Sequence, residues 1–314
     1  MTKIILSLLL IVYVLSPECI FGQLTTAIDY NLKGKVKKVV FDSYLGEKTS
    51  NGLVKVKKGW EETGEVDKTI EFNESGNITK IVFRDLDGKI KRTDEFLYSN
   101  ELLVQSVTKY KVIKYIYDAQ NRLESQIIID RTPRSISASN IDELGDEEVF
   151  SVQFEYDTTD LKQRGFWLNE KEDTTAKTTY FYNEKEFVIK EETAYFDGLK
   201  DWFIYQYDTN GNMLNVNWFD NIEGLLEIES NHYKGAALVS SEWENYMDGE
   251  PEGKIVYTYQ NGNEIEIIET DFMDESEIKW TYAYEYDSFG NWIKKTVHTY
   301  KDEWFIVDRV IEYY

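Results

Sequence analysis

Aromatic and polar side chains alternate along much of the chain. The segments 203–207 (FIYQY) and 280–286 (WTYAYEY) both place a ring at every second position. Because successive side chains of an extended backbone point to opposite faces, all of these rings lie on one face. The pattern predicts half-buried antiparallel strands whose rings face inward.

A turn sequence follows each of these two segments. Residues 208–212 read DTNGN and residues 287–291 read DSFGN. An Asp at the first turn position accepts backbone N–H groups two residues on, and a Gly at the fourth position adopts a positive φ at little cost. Looser copies of the turn recur, with Asn or Asp in place of Gly in some of them. We predict a structural turn role for Gly76, Gly88, Asp118, Asn121, Asp208, Gly211, Gly262, Asp287 and Gly290.

Turn signals of this kind recur about every 11 to 15 residues, which leaves seven to ten residues for each strand. Strands that are joined by short turns pair with their sequence neighbours. We therefore predict an all-β fold, an antiparallel meander of repeated β-hairpins with roughly twenty strands. The expected architecture is one long twisted or curled sheet.

The chain divides into four segments. Residues 1–22 are predicted to be a signal peptide, since Lys3 precedes an apolar run at 4–15 and Pro17 ends it. Residues 23–129 form an N-terminal repeat block and residues 150–314 a C-terminal one. Between them, residues 130–149 lack alternation and aromatic rings and contain Pro133, which predicts a polar insertion loop.

The leader predicts an exported protein of the periplasm or the extracellular space. Lipidation at Cys19 is the alternative, but Glu18 stands where a lipoprotein signal needs a small residue. Removal of the leader removes the only cysteine, so no disulfide can form. The leader is too short to span a bilayer, and we expect no membrane insertion after its cleavage.

The formal net charge is −23, with 58 acidic and 35 basic residues. A charge of this sign is repelled by nucleic acid and by anionic membrane surfaces. Nucleic acid is therefore excluded as a partner.

The best copies of the turn cassette carry a resemblance. The runs 284–295 (YEYDSFGNWIKK) and 207–212 (YDTNGN) resemble the YD repeat of Rhs-type and wall-associated bacterial proteins. The opening 32–36 (LKGKV) and the closing 309–314 (RVIEYY) look like the ends of small exported YD-repeat proteins. The resemblance implies a long curling sheet, and in large relatives a shell around a toxin. This chain is too short to enclose a domain, so only the fold is carried over.

No catalytic or metal-binding motif stands out. The only histidines are His232 and His298, so a zinc site would depend almost entirely on carboxylates. We predict no cofactor, no metal and no enzymatic activity. A glycosidase carboxylate pair is defined by its separation in space, so the sequence leaves that alternative open.

The C-terminal half is rich in tryptophan. Exposed rings on a sheet can stack on sugars or anchor a protein. The candidate ligand-binding residues are Trp202, Trp218, Trp243 and Trp292. The leading prediction is a non-enzymatic binding or cell-envelope interaction module for polysaccharide or protein. The alternatives are a glycoside-active enzyme and a purely structural repeat protein.

Overall fold

The computed structural model describes residues 26–59, 67–132, 145–157, 162–247 and 249–314, and every regular element in these ranges is a β-strand. The strands are β1 (Val36–Thr49), β2 (Gly52–Lys58), β3 (Lys68–Phe72), β4 (Ile78–Arg84), β5 (Ile90–Ser99), β6 (Leu102–Val107), β7 (Lys111–Tyr117), β8 (Leu123–Asp130), β9 (Glu148–Asp157), β10 (Lys162–Leu168) and β11 (Thr174–Tyr182). They continue with β12 (Val188–Tyr195), β13 (Lys200–Tyr207), β14 (Met213–Asp220), β15 (Leu225–Lys234), β16 (Ala237–Met247), β17 (Glu250–Gln260), β18 (Asn263–Asp271), β19 (Ser276–Tyr286), β20 (Trp292–His298) and β21 (Trp304–Tyr313).

From β3 to β21 each strand pairs antiparallel with the next one in the chain, as the meander prediction requires. The prediction of an all-β meander of hairpins is therefore confirmed. Tyr–Asp turns form as expected: in one of them the Asp208 carboxylate accepts N–H groups from Asn210 at 2.8 Å and Asn212 at 2.9 Å. Gly211 completes this turn with a φ of +90°.

The sheet does not stay open. β1 pairs with β21 from Val36↔Tyr313 to Gly46↔Trp304, and its other edge pairs with β3. These two ladders close β1 and β3–β21 into a barrel of 20 strands, which β2 extends as a hairpin on the far half of β1. The prediction of one long twisted or curled sheet was wrong on this point, because turn spacing fixes which neighbours pair but does not report a ladder between the chain ends.

The tyrosines that precede the turns explain the regularity of one end of the barrel. Tyr117, Tyr156 and Tyr207 each reach back over the neighbouring strand and donate from the phenol to a carbonyl oxygen at its start, at 2.9, 2.8 and 2.9 Å. Each ring thus covers the adjacent hairpin and fixes its position in the wall. We call this the tyrosine end of the barrel, and the opposite end the distal end.

Residues 26–35, which we call the strap, run across the tyrosine end. Ala27 donates to the Gly76 carbonyl oxygen at 2.8 Å, in the β3–β4 turn. The Asn291 side chain in the β19–β20 turn accepts from the Lys33 amide at 2.7 Å and donates to the Lys33 carbonyl oxygen at 2.8 Å. Asn291 is 1% exposed and also bonds the Tyr313 hydroxyl at 2.7 Å. The strap therefore ties both sides of the closing seam together.

The buried apolar residues form three separate clusters. The largest lies under the seam, on β1, β3–β5, β20, β21 and the strap. The second lies on β11–β14 and the third on β7–β10. Each cluster is built from neighbouring strands, so the buried apolar residues pack at three places along the wall and do not form one central core.

The predicted segment boundaries are largely outside what the structure describes. The signal peptide at 1–22 lies outside the described residues, as do residues 133–144 of the predicted insertion. The base of that insertion is described: the Gly145 amide donates to the Arg131 carbonyl oxygen at 2.7 Å. The division into two repeat blocks stays a prediction.

Candidate functional site

Strand register shows which side chains of the barrel wall share a face, and burial shows which face is the inner one. Tyr205 is buried and faces inward, and its direct partners in the wall continue through Val216, Glu229 and Trp243. The adjacent row runs from Phe203 through Trp218 and Glu227 to Asn245. Because paired side chains on one face lie about 4.5 to 5.5 Å apart at Cβ, these rows form one continuous surface.

This surface combines rings with hydrogen-bond acceptors, and we call it the inner patch. It comprises Trp218, Glu227, Glu229, Asn231, Trp243 and Glu269, on β14, β15, β16 and β18. Glu269 joins the row through Trp243↔Ile255 and Ile255↔Glu269. Trp218 and Trp243 are half-buried, so part of each indole faces the interior of the barrel.

Some polar atoms of the inner patch are satisfied within it. The Asn231 amide nitrogen donates to Glu229 Oε1 at 2.7 Å, and Trp243 Nε1 donates to the Ser241 hydroxyl at 3.0 Å. Two other buried atoms of the inner patch, Asn231 Oδ1 and Trp218 Nε1, have no hydrogen-bond partner within the described ranges. A buried polar atom without a partner is rare in proteins and costs free energy, so this surface is incomplete by itself.

Burial raises the pKa of all three patch carboxyls. Burial is the larger cause for Glu227, whose pKa rises to about 7 with a second contribution from the charge of Glu229. The pKa of Glu229 is also raised by burial, against a lowering effect of the bond from Asn231. The pKa of Glu269 rises through burial and through the charge of Asp271. The patch is thus a set of buried carboxyl groups that keep their protons to a higher pH than an exposed glutamate does, and that can accept hydrogen bonds or cations once ionised.

The outer wall has a different chemistry. Several of its acidic residues are paired with lysines across neighbouring strands, as in Lys254–Glu242 at 2.6 Å and Lys294–Glu285 at 2.7 Å. Such exposed pairs contribute about 0 to 1 kcal/mol each. The buried acceptor that has no partner in this part of the described structure, Asn231 Oδ1, lies on the inside.

A groove at the tyrosine end is a weaker candidate. It has a volume of about 700 Å³ and lies between the β11–β12 and β13–β14 turns. Phe187 stacks on Tyr207 there with ring centroids 5.0 Å apart. Its polar groups serve the turns: Asp208 accepts the turn amides, and Lys185 Nζ donates to the Thr209 carbonyl oxygen at 2.9 Å. The groove is concave, but Asp208 and Lys185 are already hydrogen-bonded within the turns.

The four tryptophans predicted to bind a ligand occupy three different environments. Trp202 lies on the outer wall and stacks on Phe219, with centroids 5.5 Å apart. Trp218 lies on the inner face and stacks on Phe203 at 5.6 Å, and Trp243 shares that face. Trp292 is 8% exposed in the seam cluster. Only Trp218 and Trp243 belong to one surface, and their binding role stays a prediction.

The residues predicted for the turns all lie in turns. Asp118 and Asp287 repeat the Asp208 pattern, each accepting from the residues two and four positions on. The φ values are positive for the other turn residues named above: Gly76, Gly88, Asn121, Gly211, Gly262 and Gly290. Gly88 lies at the distal end, and the other eight lie at the tyrosine end.

Sequence reasoning missed the carboxylates of the inner patch, although a signal for them exists. The tyrosine before each turn faces inward, so counting back from it in twos gives the inward positions of its strand. From Tyr233 this count reaches Asn231, Glu229 and Glu227. The alternation that predicts the strands therefore also predicts which polar residues share the inward face with the tyrosines.

The described residues contain neither a metal-binding cluster nor a helix that could span a membrane. In the ranges listed above, no group of three or more His, Cys, Asp or Glu side chains is placed to hold a metal ion. No helix in the described part of the chain is long and apolar enough to cross a membrane.

Comparison with known proteins gives matches in structure but not in sequence. No family model and no curated protein match the sequence. A solved porin-like protein from Bacteroides uniformis is 17% identical, with a TM-score of 0.37, over 70% of this chain and 94% of that one. A porin-like protein from Bacteroides vulgatus is 13% identical, with a TM-score of 0.29, over 89% of this chain and 98% of that one. At this distance neither likeness supports an inference about ligand or activity.

Two predictions are corrected by the closed barrel. The family resemblance to small exported YD-repeat proteins of the Rhs type was wrong, since the structure is a closed 20-strand barrel. The short Tyr–Asp turns that carried it are hairpin geometry, which an unrelated barrel can share. The expectation of no membrane insertion is contradicted as well, and we withdraw it. It rested on the length of the leader, which does not bear on strands, whereas a closed antiparallel barrel is the form in which strands can cross a bilayer.

Proposed function

We propose that the chain is a non-enzymatic binding module of the cell envelope that takes a polysaccharide against the inner patch. One observation carries the proposal: two half-buried indoles and a set of buried acceptors share one face of the wall, on the inside of the barrel. Sugars present apolar ring faces and many hydroxyl donors. Trp218 and Trp243 offer surfaces for stacking, and Glu227, Glu229 and Asn231 offer acceptors.

The test compares a tryptophan of each face. The purified chain is screened on a glycan array, and the affinity of the best oligosaccharide is measured by calorimetry for wild type, Trp243→Ala and Trp202→Ala. Loss of a stacking ring from the inner patch is expected to weaken binding about tenfold or more, which is about 1.4 kcal/mol. Trp202→Ala removes a ring of the same size from the outer wall and is expected to leave affinity unchanged. Equal losses in the two variants, or no bound glycan at all, would refute the proposal.

Glycoside hydrolysis is the second candidate, because Glu227 and Glu229 face inward two residues apart on one strand. An extended strand separates such Cα atoms by roughly 7 Å, which is within the range of glycosidase carboxyl pairs. Burial raises the pKa of both groups, however, whereas an acid and base pair needs environments that separate the two values. Release of reducing ends from the bound oligosaccharide, abolished by Glu227→Gln, would establish hydrolysis in place of simple binding.

A further inference from the structure

The inward positions of β13–β19 carry several carboxylates but no basic side chain. Six of these carboxylates are Asp201, Asp220, Glu227, Glu229, Glu269 and Asp271. Each lysine and histidine of these strands falls on an outward position, as Lys254 and Lys279 illustrate by pairing with outer-wall glutamates. Within the described ranges, no ion pair neutralises any of the six.

A second observation points to a ligand rather than to simple solvation. Asn231 is 5% exposed. Its amide nitrogen donates to Glu229, but its Oδ1 accepts a hydrogen bond from no donor within the described ranges. Glu229 itself is 7% exposed. The surface therefore lacks donors and cations at the same place, next to the Trp243 ring. A donor that also carries positive charge would satisfy both needs.

We propose that the ligand of the inner patch is a cationic, amine-bearing glycan, such as a polymer of glucosamine. This rests on the proposed polysaccharide-binding function and specifies its substrate class. The sugar ring stacks on Trp243 or Trp218, as any hexose would. The ammonium group adds a charge-assisted hydrogen bond to Glu229 or Glu269, and such bonds are roughly twice as strong as neutral ones. A neutral sugar gains only ordinary hydrogen bonds from its hydroxyl groups to these carboxylates, and an acidic sugar is repelled by them.

The test uses two oligosaccharides that differ only at the amine. Hexamers of glucosamine and of N-acetylglucosamine are titrated into the purified chain at pH 7 by calorimetry, at low and at high salt. The glucosamine hexamer is expected to bind at least tenfold more tightly at low salt, and high salt is expected to reduce this preference, since screening weakens charge pairs.

Variants on β15 and β18 show which carboxylates cause the preference for the glucosamine hexamer. Glu229→Gln and Glu269→Gln are expected to reduce the ratio of the two affinities severalfold, because a carboxamide still accepts hydrogen bonds from hydroxyl groups but carries no charge to pair with an ammonium group. Glu266→Gln, which lies on the outer wall of the same strand as Glu269, is the matched control and is expected to keep the full preference. Circular dichroism of each variant confirms that the strands are retained.

The outcomes separate the two proposals. If both hexamers bind equally, the cationic-ligand proposal is overturned and polysaccharide binding stands. If neither hexamer nor any other glycan binds, polysaccharide binding itself is overturned. If Glu266→Gln removes the preference as much as Glu269→Gln does, the preference comes from the overall charge of −23 and the assignment to the inner patch is refuted.

Discussion

Glu191 gives the barrel a stability that depends on pH. It faces inward on β12, opposite Tyr180, and the Tyr205 hydroxyl donates to its Oε2 at 3.5 Å. Burial raises the pKa of Glu191 from 4.5 to about 7, although the hydrogen bonds from Tyr180 and Tyr205 act in the lowering direction. The folded protein therefore holds this proton over a pH range in which the unfolded chain has already released it.

The sign and size of the effect follow from that difference. Below about pH 4.5 both states are protonated, and above about pH 7 both are ionised. Between these values the folded state binds more protons, so the free energy of unfolding falls as the pH rises. At 1.36 kcal/mol per pKa unit, the rise corresponds to a loss of roughly 3 kcal/mol that is complete above pH 7. The variant Glu191→Gln cannot ionise and avoids this loss.

The free energy of unfolding is measured by urea titration of wild type and Glu191→Gln at pH 4.5, 6 and 8, followed by circular dichroism. The two proteins are expected to agree within about 1 kcal/mol at pH 4.5, with Glu191→Gln more stable by roughly 3 kcal/mol at pH 8. Glu192→Gln is the control, since Glu192 lies on the outer wall and pairs with Lys190 at 2.7 Å. A difference between wild type and Glu191→Gln that stays constant with pH, or that grows toward acid, would refute the reasoning.

Two further predictions concern the turns and use matched positions. Gly211→Ala should destabilise the fold by about 1 kcal/mol more than Gly88→Ala: both residues have positive φ, but an added Cβ at Gly211 lies 2.7 Å from the Phe187 ring and meets nothing within 4 Å at Gly88. Equal melting temperatures for the two variants would contradict this contact. Asn291→Ala should lower the free energy of unfolding by roughly 2 to 4 kcal/mol, because it leaves buried strap groups without partners, while Asn212→Ala at the same turn position should cost about 1 kcal/mol. Urea titration checks both, and similar losses at the two asparagines would mean that the strap contributes little.

Much of the wall could be predicted from local sequence. Period-two alternation identifies strands such as β13 and β19, and the Asp and Gly of their turns fix which neighbours pair, since both signals act over a few residues. Closure could not be predicted this way. The β1–β21 ladder joins Val39 to Ile311, two apolar residues whose pairing has no local signature. The same alternation would have fitted an open sheet.

The candidate site was predicted only in part, for a related reason. Trp218 and Trp243 stood out by residue type, but nothing local distinguishes them from Trp202 on the outer wall or Trp292 in the seam. Which face a ring occupies depends on register with the strands beside it. Glu229 was overlooked because carboxylates are abundant in this chain, and its significance comes from burial next to Asn231.

The ladder between β1 and β21 also constrains how the molecule can be assembled. Its partners are separated by more than 250 residues, so closure of the barrel requires β21 to be present and carries a loss of chain entropy. Until then, two unsatisfied strand edges are exposed to other chains, which is a hazard for aggregation. A protein lacking its last strand would keep both edges permanently, so it is expected to associate with itself rather than to persist as a smaller monomer.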